Sequence, residues 1–105
     1  MSVTVGFLAL LEAKPDKAAE LAAFLEQGRE LALAEPLTVG WYAFRVDQVA
    51  YVIFDTSEAE AGREAHQAGE IAKALMAAAR ELLARDPVVR PVDVIAVKRT
   101  HRYDK

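Results

Sequence analysis

The hydrophobic pattern of the first third of the chain changes from a continuous apolar run to a helical period. Residues 3–11 are apolar at nearly every position and open with β-branched side chains, which favours a strand. Pro15 then fixes a turn, and Asp16 stands where a helix N-cap is expected. Apolar residues recur at helical spacing over residues 17–34, and Pro36 ends this predicted helix because it restricts the residue before it.

The middle of the chain is rich in β-branched and aromatic residues, as strands are. Two such segments cover residues 38–46 and 49–54, and only Asp47 and Gln48 separate them. A short polar separation between two strand patterns is typical of a β-hairpin. We therefore predict a hairpin with a tight two-residue turn.

The remaining third returns to a helical period and then to a strand. Ser57 and Glu60 match a capping box, which predicts that a helix begins there. Gly69 interrupts the helical pattern, and Pro87 ends it. The predicted elements are a short helix, a longer helix and a final strand, over residues 58–67, 70–84 and 92–98.

The order of these elements predicts an α+β, ferredoxin-like βαββαβ fold. It has a four-stranded antiparallel sheet with two helices on one face. A sheet covered on one face should alternate apolar and polar residues, but these strands do not. In the first strand Val5 and Phe7 share one face, yet Gly6 and Leu8 on the other are equally apolar. We therefore predict a homodimer in which the sheets of two copies pack together.

Composition and charge restrict the classes of partner. The 105 residues are 53% hydrophobic and 28% charged, which predicts one folded domain over residues 1–105. The net charge of −3 predicts no nucleic-acid partner, and the basic tail at 99–105 is interpreted as a solvated terminus. No apolar run approaches the roughly 20 residues that span a bilayer, so no membrane partner is expected. The chain has no cysteine, which is compatible with the cytoplasm.

Five short segments, spread over nearly the whole chain, resemble one protein family. They read KPDK at 14–17, GWYAFR at 40–45, IFDT at 53–56, AGREAH at 61–66 and PVDV at 91–94. In this order they are similar to the antibiotic biosynthesis monooxygenase (ABM) family of the dimeric α/β-barrel superfamily. The resemblance implies a dimeric α/β barrel with a small hydrophobic cavity between each sheet and its helices.

The resemblance also implies a type of chemistry. In characterised ABM members the cavity oxygenates phenolic or quinol-like substrates without metal or flavin, or it binds haem. A deprotonated, electron-rich phenol passes an electron to oxygen itself, so the protein needs only a base, a dry pocket and a fixed substrate orientation. We therefore expect a small hydrophobic or aromatic molecule as the ligand and no cofactor.

His66 is the candidate base. It is the only histidine within the predicted elements, it lies where many ABM members carry one, and its ordinary pKa near 6.5 suits a base at neutral pH. The alternative is a surface histidine, since on a continuous helix it lies about 140° from Ile71. Glu70 is four residues from His66, but no third ligand is evident, so no metal site is predicted.

The haem-degrading branch of the superfamily uses three specific residues, and the sequence shows whether they are present. That branch uses an asparagine near the position of Leu8, a tryptophan near His66 and a histidine near Met76. None of the three is present, and the chain contains no asparagine at all. We therefore do not expect haem degradation.

The aromatic residues of the hairpin alternate between the two faces of the sheet. A tight turn pairs Phe44 with Tyr51 and Trp41 with Phe54, each pair sharing a face. The rings therefore divide into one cluster on the helix side and one on the dimer side. Core packing is one interpretation, but tyrosine and tryptophan need polar partners when buried, which leaves a role in a cavity wall open. The predicted wall residues are Leu8, Trp41, Tyr42, Phe44, Tyr51 and Met76.

Three functions are compatible with the sequence. The first is an ABM-like, cofactor-independent monooxygenase or related enzyme that acts on a small aromatic, quinol-like substrate with His66 as base. The second is a non-catalytic dimeric module that binds a small ligand or a protein. The third is an isomerase or lactone-handling enzyme of the same fold, which also needs an acid–base residue in the cavity.

Overall fold

A computed structural model describes residues 3–98 of the chain, and the predicted basic tail at 99–105 lies outside them. Four strands and three helices follow one another in the order βαββααβ. They are β1 (Val5–Glu12), α1 (Ala18–Leu33), β2 (Gly40–Arg45), β3 (Ala50–Ser57), α2 (Glu60–Gln67), α3 (Glu70–Leu82) and β4 (Val88–Asp93).

The four strands form one antiparallel sheet in the order β2-β3-β1-β4. This arrangement confirms the predicted α+β class and the ferredoxin-like order. The second helical region is divided at Gly69, which lies between α2 and α3, as the sequence indicated.

The hydrophobic core lies between one face of the sheet and the helices. Leu21 and Leu25 of α1 and Leu75 of α3 are buried against Ala9 and Ile53, which pair across β1 and β3. The buried positions of α1 recur three or four residues apart, which is why the chain forms a helix there with one face inward. The core thus fixes α1 and α3 over the centre of the sheet.

The last strand lies earlier in the chain than predicted. β4 covers Val88–Asp93 instead of residues 92–98, and it pairs with β1 from Leu10 opposite Val88 to Val5 opposite Asp93. Pro91 lies within this strand, opposite Phe7, although proline is confined to edge strands and strand ends. It is tolerated because β4 is an edge strand, where a missing backbone donor leaves no ladder hydrogen bond unmade.

Both predicted helix caps are wrong. Ser57 is fully buried at the end of β3, and α2 begins at Glu60 with Ala59 as its N-cap. At the start of α1 the N-cap is Lys17, and Asp16 makes no capping bond. The reason for the first error is that β3 continues to Ser57, paired with Val5, so this serine is committed to the sheet.

The hairpin turn is one residue longer than predicted. The N–H groups of Val49 and Ala50 both donate to Asp47 Oδ1, at 3.0 and 2.8 Å. Val46 N–H donates to the Ala50 carbonyl, which closes a three-residue loop over 47–49. The Asp47 side chain therefore organises the turn, and the register shifts by one residue.

The shifted register changes every predicted aromatic pair. Phe44 lies opposite Val52 instead of Tyr51, and Trp41 lies opposite Asp55 instead of Phe54. The rings still divide between the two faces, but the predicted membership is wrong: Phe54 lies on the face of Tyr42 and Phe44, and Tyr51 on the face of Trp41. Trp41 and Tyr51 lie on the helix side of the sheet.

The second face of the sheet is apolar and exposed in the single chain. Tyr42 stacks on Phe44 with 6.0 Å between ring centroids and on Phe54 with 6.3 Å. Tyr42 is 53% exposed and Phe44 is 48% exposed. We call this surface the open face; its apolar part comprises Leu8, Leu10, Tyr42, Phe44, Val52, Phe54 and Val88, and Arg90 lies on the same face opposite Leu8.

Candidate functional site

A cleft of about 880 Å³ lies between α1 and the edge strand β2. This volume is within the range of sites that bind small molecules. Trp41 and Tyr51 line it from the sheet, and Leu25 lines it from α1. Five charged residues also line it, three acidic and two basic: Glu26, Glu30, Glu35, Arg29 and Arg45. The cleft is thus an aromatic-walled groove with one more acidic than basic residue.

Trp41 is held close to α1 because residue 28 of that helix is a glycine. A Cβ atom added at Gly28 would lie 3.4 Å from the indole ring and 2.8 Å from Ile71 Cδ1. The indole Nε1 is buried and has no hydrogen-bond partner among residues 3–98. The cleft wall therefore contains a buried donor that the described chain does not satisfy.

Beside the cleft lies a chain of three buried ionisable residues, Asp55, His66 and Glu35. His66 Nε2 lies 3.0 Å from Asp55 Oδ2, and His66 Nδ1 lies 2.6 Å from Glu35 Oε1. The side chains are 2%, 9% and 14% exposed for Asp55, His66 and Glu35. Three different parts of the fold supply them: β3, α2 and the segment that joins α1 to β2. We call this arrangement the Asp55–His66–Glu35 chain.

The break between α2 and α3 makes room for this chain. His66 lies next to the end of α2, and its carbonyl accepts a hydrogen bond from Gly69 N–H at 3.0 Å. A Cβ atom at Gly69 would collide with Glu35 Oε2. A glycine at the start of α3 therefore lets the Glu35 carboxylate approach, and the interruption of the helix allows His66 to point inward.

The contacts of His66 indicate an imidazolium. A neutral imidazole has one N–H, but both ring nitrogens lie within hydrogen-bond distance of carboxylate oxygens. Burial lowers the pKa of His66, but the hydrogen bonds and negative charges of Asp55 and Glu35 outweigh it, so the pKa is raised above 6.5. With both carboxylates ionised, the Asp55–His66–Glu35 chain carries a net charge of −1.

The raised pKa of His66 predicts that stability falls with rising pH. The folded protein holds its proton to a higher pH than the unfolded chain, whose pKa is about 6.5. The stabilisation is therefore complete below about pH 6.5 and is lost as the pH rises through the folded-state pKa. Urea unfolding from about pH 6 to 9 should show this decline, and His66→Gln should flatten it. Equal slopes in the two proteins would contradict the assignment.

The structure connects His66 to the cleft indirectly. His66 does not line the cleft, whereas Glu35 and Thr38 do. Thr38 Oγ1 donates to Glu35 Oε1 at 2.9 Å and lies 3.4 Å from His66 Nδ1. Glu35 therefore stands between the imidazole and the cleft, and a direct role of His66 as base stays a prediction.

The predicted wall residues do not all lie together. Tyr42 and Phe44 border the cleft as part of β2, but their rings stack on the open face. Leu8 also lies on the open face, opposite Phe54, and Met76 is 64% exposed on α3. Among the six, only Trp41 and Tyr51 present rings to the helix side at the cleft. Strand parity turns Leu8, Tyr42 and Phe44 to the opposite face of the sheet, and Met76 lies away from the cleft on α3.

Asp55 and Glu35 were not among the residues predicted from the sequence. Asp55 had a signal, because it shares strand parity with the buried Tyr51 and Ile53 and so places a carboxylate on an apolar face. Glu35 had none, since it precedes Pro36 at the end of a helix, where an exposed residue is usual. Only the tertiary contact with His66, 31 residues away, gives it a role.

The part of the chain that the structure describes has neither a three-residue metal cluster nor a membrane-spanning helix. Residues 3–98 contain no group of three or more His, Cys, Asp or Glu side chains placed to hold a metal ion. Asp55 and Glu35 contact opposite nitrogens of His66, so these groups do not converge on one point. No helix among these residues has the length and apolarity needed to cross a membrane. The cytoplasmic location stays a prediction.

Solved structures show which proteins this chain resembles. A protein of unknown function from Nitrosomonas europaea, NE2512, is 39% identical over 95% of this chain and 97% of its own, with a TM-score of 0.90. The chain belongs to the family of this Nitrosomonas protein. No protein-family model matches the chain, and no curated protein matches it.

More distant structures confirm the predicted fold family. A Caulobacter crescentus protein provisionally named an antibiotic biosynthesis monooxygenase is 22% identical, with a TM-score of 0.75, over 90% of this chain and 92% of its own. Another structure named an antibiotic biosynthesis monooxygenase is 19% identical with the same TM-score, over 88% and 99%. The family of the Nitrosomonas protein therefore has the ABM fold.

Proposed function

We propose that the protein is a cofactor-independent monooxygenase that acts on a small aromatic, quinol-like molecule bound in the cleft. The observation that carries this proposal is the buried Asp55–His66–Glu35 chain, one carboxylate of which lines an aromatic-walled cleft. Buried ionisable groups beside a cleft are typical of sites that move protons. The ABM fold of the distant relatives adds support.

The proposed reaction needs only the substrate, oxygen and a proton acceptor. Loss of the hydroxyl proton leaves an electron-rich anion, which passes an electron to O₂. Overall, a ring CH₂ group of the keto tautomer and O₂ give a carbonyl group and water, so the carbon loses the four electrons that O₂ gains. The protein contributes the proton acceptor, the exclusion of water and a fixed orientation.

The proposal includes a homodimer in which a second copy covers the open face. The support is the set of stacked, half-exposed rings of Tyr42 and Phe44, together with Leu10, which is 41% exposed. Adjacent exposed apolar side chains on one sheet face are typical of an interface between protein chains. A two-fold interface would place this surface against its own copy.

Oxygen consumption with a panel of phenols and hydroquinones tests the function. The wild type should consume oxygen with at least one of them, and His66→Gln should lower the rate by about 10² to 10⁴, the usual contribution of acid–base groups. Glu64→Gln is the control, because Glu64 is exposed on the same helix and does not line the cleft. An unchanged rate of oxygen consumption in the His66 variant would refute a role of His66 in proton transfer.

A non-catalytic binding module is the second candidate. The observation that favours it is that both nitrogens of His66 are already paired with carboxylates, as in a purely structural ion network. Under that interpretation phenols bind without any turnover. Turnover that needs no oxygen would instead indicate the isomerase or lactone-handling alternative.

A further inference from the structure

We infer that the cleft binds aromatic molecules that carry a carboxylate, and that Arg45 is the residue that recognises this group. The ring of the ligand would lie above Ala43, between Trp41 and Arg45. This inference names a substrate class for the proposed monooxygenase and rests on that function for its chemistry. The binding that it describes is nevertheless testable without any turnover.

The side chain of Arg45 lies on the helix side of the sheet. Arg45 is the last residue of β2 and pairs across the hairpin with Tyr51, whose hydroxyl donates to the Ala18 carbonyl of α1 at 3.2 Å. Arg45 and Tyr51 both line the cleft. Directly opposed residues of antiparallel strands share a face, as do alternate residues of one strand, so Arg45 shares the face of Tyr51 and Trp41. The arginine side chain therefore leaves the sheet on the cleft side.

Arg45 is also the basic residue of the cleft that no carboxylate engages. Arg29 Nη1, on α1, lies 3.4 Å from Glu30 Oε2. Arg45 has no Asp or Glu oxygen within 4 Å among residues 3–98. A guanidinium binds a carboxylate through two parallel hydrogen bonds, because its planar N–H groups match the two oxygens. An unengaged arginine in an aromatic cleft therefore favours this group in the ligand.

An uncovered alanine separates Arg45 from the tryptophan of the cleft wall. Ala43 lies between Trp41 and Arg45 on the same face of β2, and it is exposed. Its partner Ile53 on β3 is only 5% exposed, so the core covers the neighbouring strand but not this position. Trp41 and Arg45 are four residues apart, about 13 Å along the strand, so a ring above Ala43 would lie next to both. A second alanine, Ala22, lines the cleft from α1.

The other charges of the cleft favour a ligand with a single negative charge. Three acidic and two basic residues line it, so its own field does not attract a doubly charged anion. Glu30 compensates Arg29, and His66 compensates Glu35. A carboxylate brings one charge and places it against Arg45.

Binding at Arg45 also sets the direction of the ligand. Arg45 ends β2, whereas Glu35 and Thr38 precede its first residue, and all three line the cleft. A carboxylate at Arg45 therefore directs the opposite end of an elongated ligand along β2, past Trp41 and toward Thr38. In a para-hydroxylated aromatic acid that end carries the hydroxyl group, which is the group that the proposed reaction deprotonates. Arg45 acts here as a specificity residue and not as a proton acceptor.

The test compares the binding of 4-hydroxycinnamate with that of 4-hydroxycinnamamide, which has nearly the same shape but no charge. Trp41 is the only tryptophan in the chain, so quenching of its fluorescence places each ligand at the cleft, and calorimetry gives the affinities. At pH 7 the wild type should prefer the acid by about fivefold, the value of an exposed ion pair with good geometry.

Four variants assign the contacts. Arg45→Gln should abolish the preference by weakening the acid alone, and Arg45→Lys should keep part of it, because an ammonium group does not form the two parallel bonds. Arg80→Gln is the control, since Arg80 is exposed on α3 and does not line the cleft. Ala43→Leu should weaken the acid and the amide alike, by about tenfold, because its side chain occupies the place of the ring.

Three results would overturn the inference. They are equal affinity of the wild type for the acid and the amide, a preference that survives Arg45→Gln, and a preference that Arg80→Gln removes equally. Unchanged binding in Ala43→Leu would contradict the place of the ring. A wild type that prefers the acid but consumes no oxygen with any phenol would contradict the monooxygenase proposal alone. Oxygen consumption without a preference for the acid would contradict only the role of Arg45.

Discussion

Replacing His66 with alanine should lower the free energy of unfolding by about 3–5 kcal/mol. The substitution removes the positive partner from two buried carboxylates, and breaking a buried ion pair costs about this much. Asp55 is only 2% exposed, so we expect its unpaired charge to account for most of the loss. Urea unfolding at pH 7 measures the difference.

The control for this experiment is an alanine at Glu64, two residues earlier on α2 and exposed. Exposed substitutions of this kind usually change stability by less than about 0.5 kcal/mol. If His66→Ala is as mild as Glu64→Ala, the Asp55–His66–Glu35 chain does not hold the protein together. The expected result is therefore a large loss of stability for His66→Ala and a small one for Glu64→Ala, although both residues lie on the same short helix.

A lysine in place of Tyr42 should dissociate the proposed dimer. Tyr42 stacks on both Phe44 and Phe54, so it lies at the centre of the aromatic part of the open face. A two-fold interface contains each residue twice, and losing a central aromatic costs about 2 kcal/mol or more each time. The dissociation constant should therefore rise by about a thousandfold.

Sedimentation equilibrium at micromolar concentration measures this change. Met76→Lys is the matched control, because Met76 is also an exposed apolar residue but lies on α3, away from the open face. It should leave the dimer intact. A wild type that sediments as a monomer would contradict the proposed dimer.

Local sequence signals predicted most of this fold, because the spacing of apolar residues and the positions of helix-breaking residues mark most of its elements. The apolar stripe of α1 and the glycine that separates α2 from α3 both read correctly from spacing alone. The errors came from side chains with unusual local roles. Asp47 binds two backbone N–H groups and lengthens the turn, and Pro91 sits in an edge strand that tolerates it.

The candidate site was predictable only in part, because it depends on contacts between distant segments. His66 could be selected by its residue type. Its burial depends on the break at Gly69, however, because a continuous helix would turn it away from the apolar face. Strand parity alone could have identified Asp55. Glu35 is 31 residues from His66 and 20 residues from Asp55, and no local pattern marks such a contact.

The most direct test of the proposed monooxygenase activity is to follow labelled oxygen. The wild type is given ¹⁸O₂ and a phenol or hydroquinone that quenches Trp41, and the product is analysed by mass spectrometry. The proposed monooxygenase activity predicts that one labelled oxygen atom enters the product and that Glu35→Gln and His66→Gln both slow its appearance. A product whose new oxygen comes from water, or cleft-bound phenols that never consume oxygen, would contradict it.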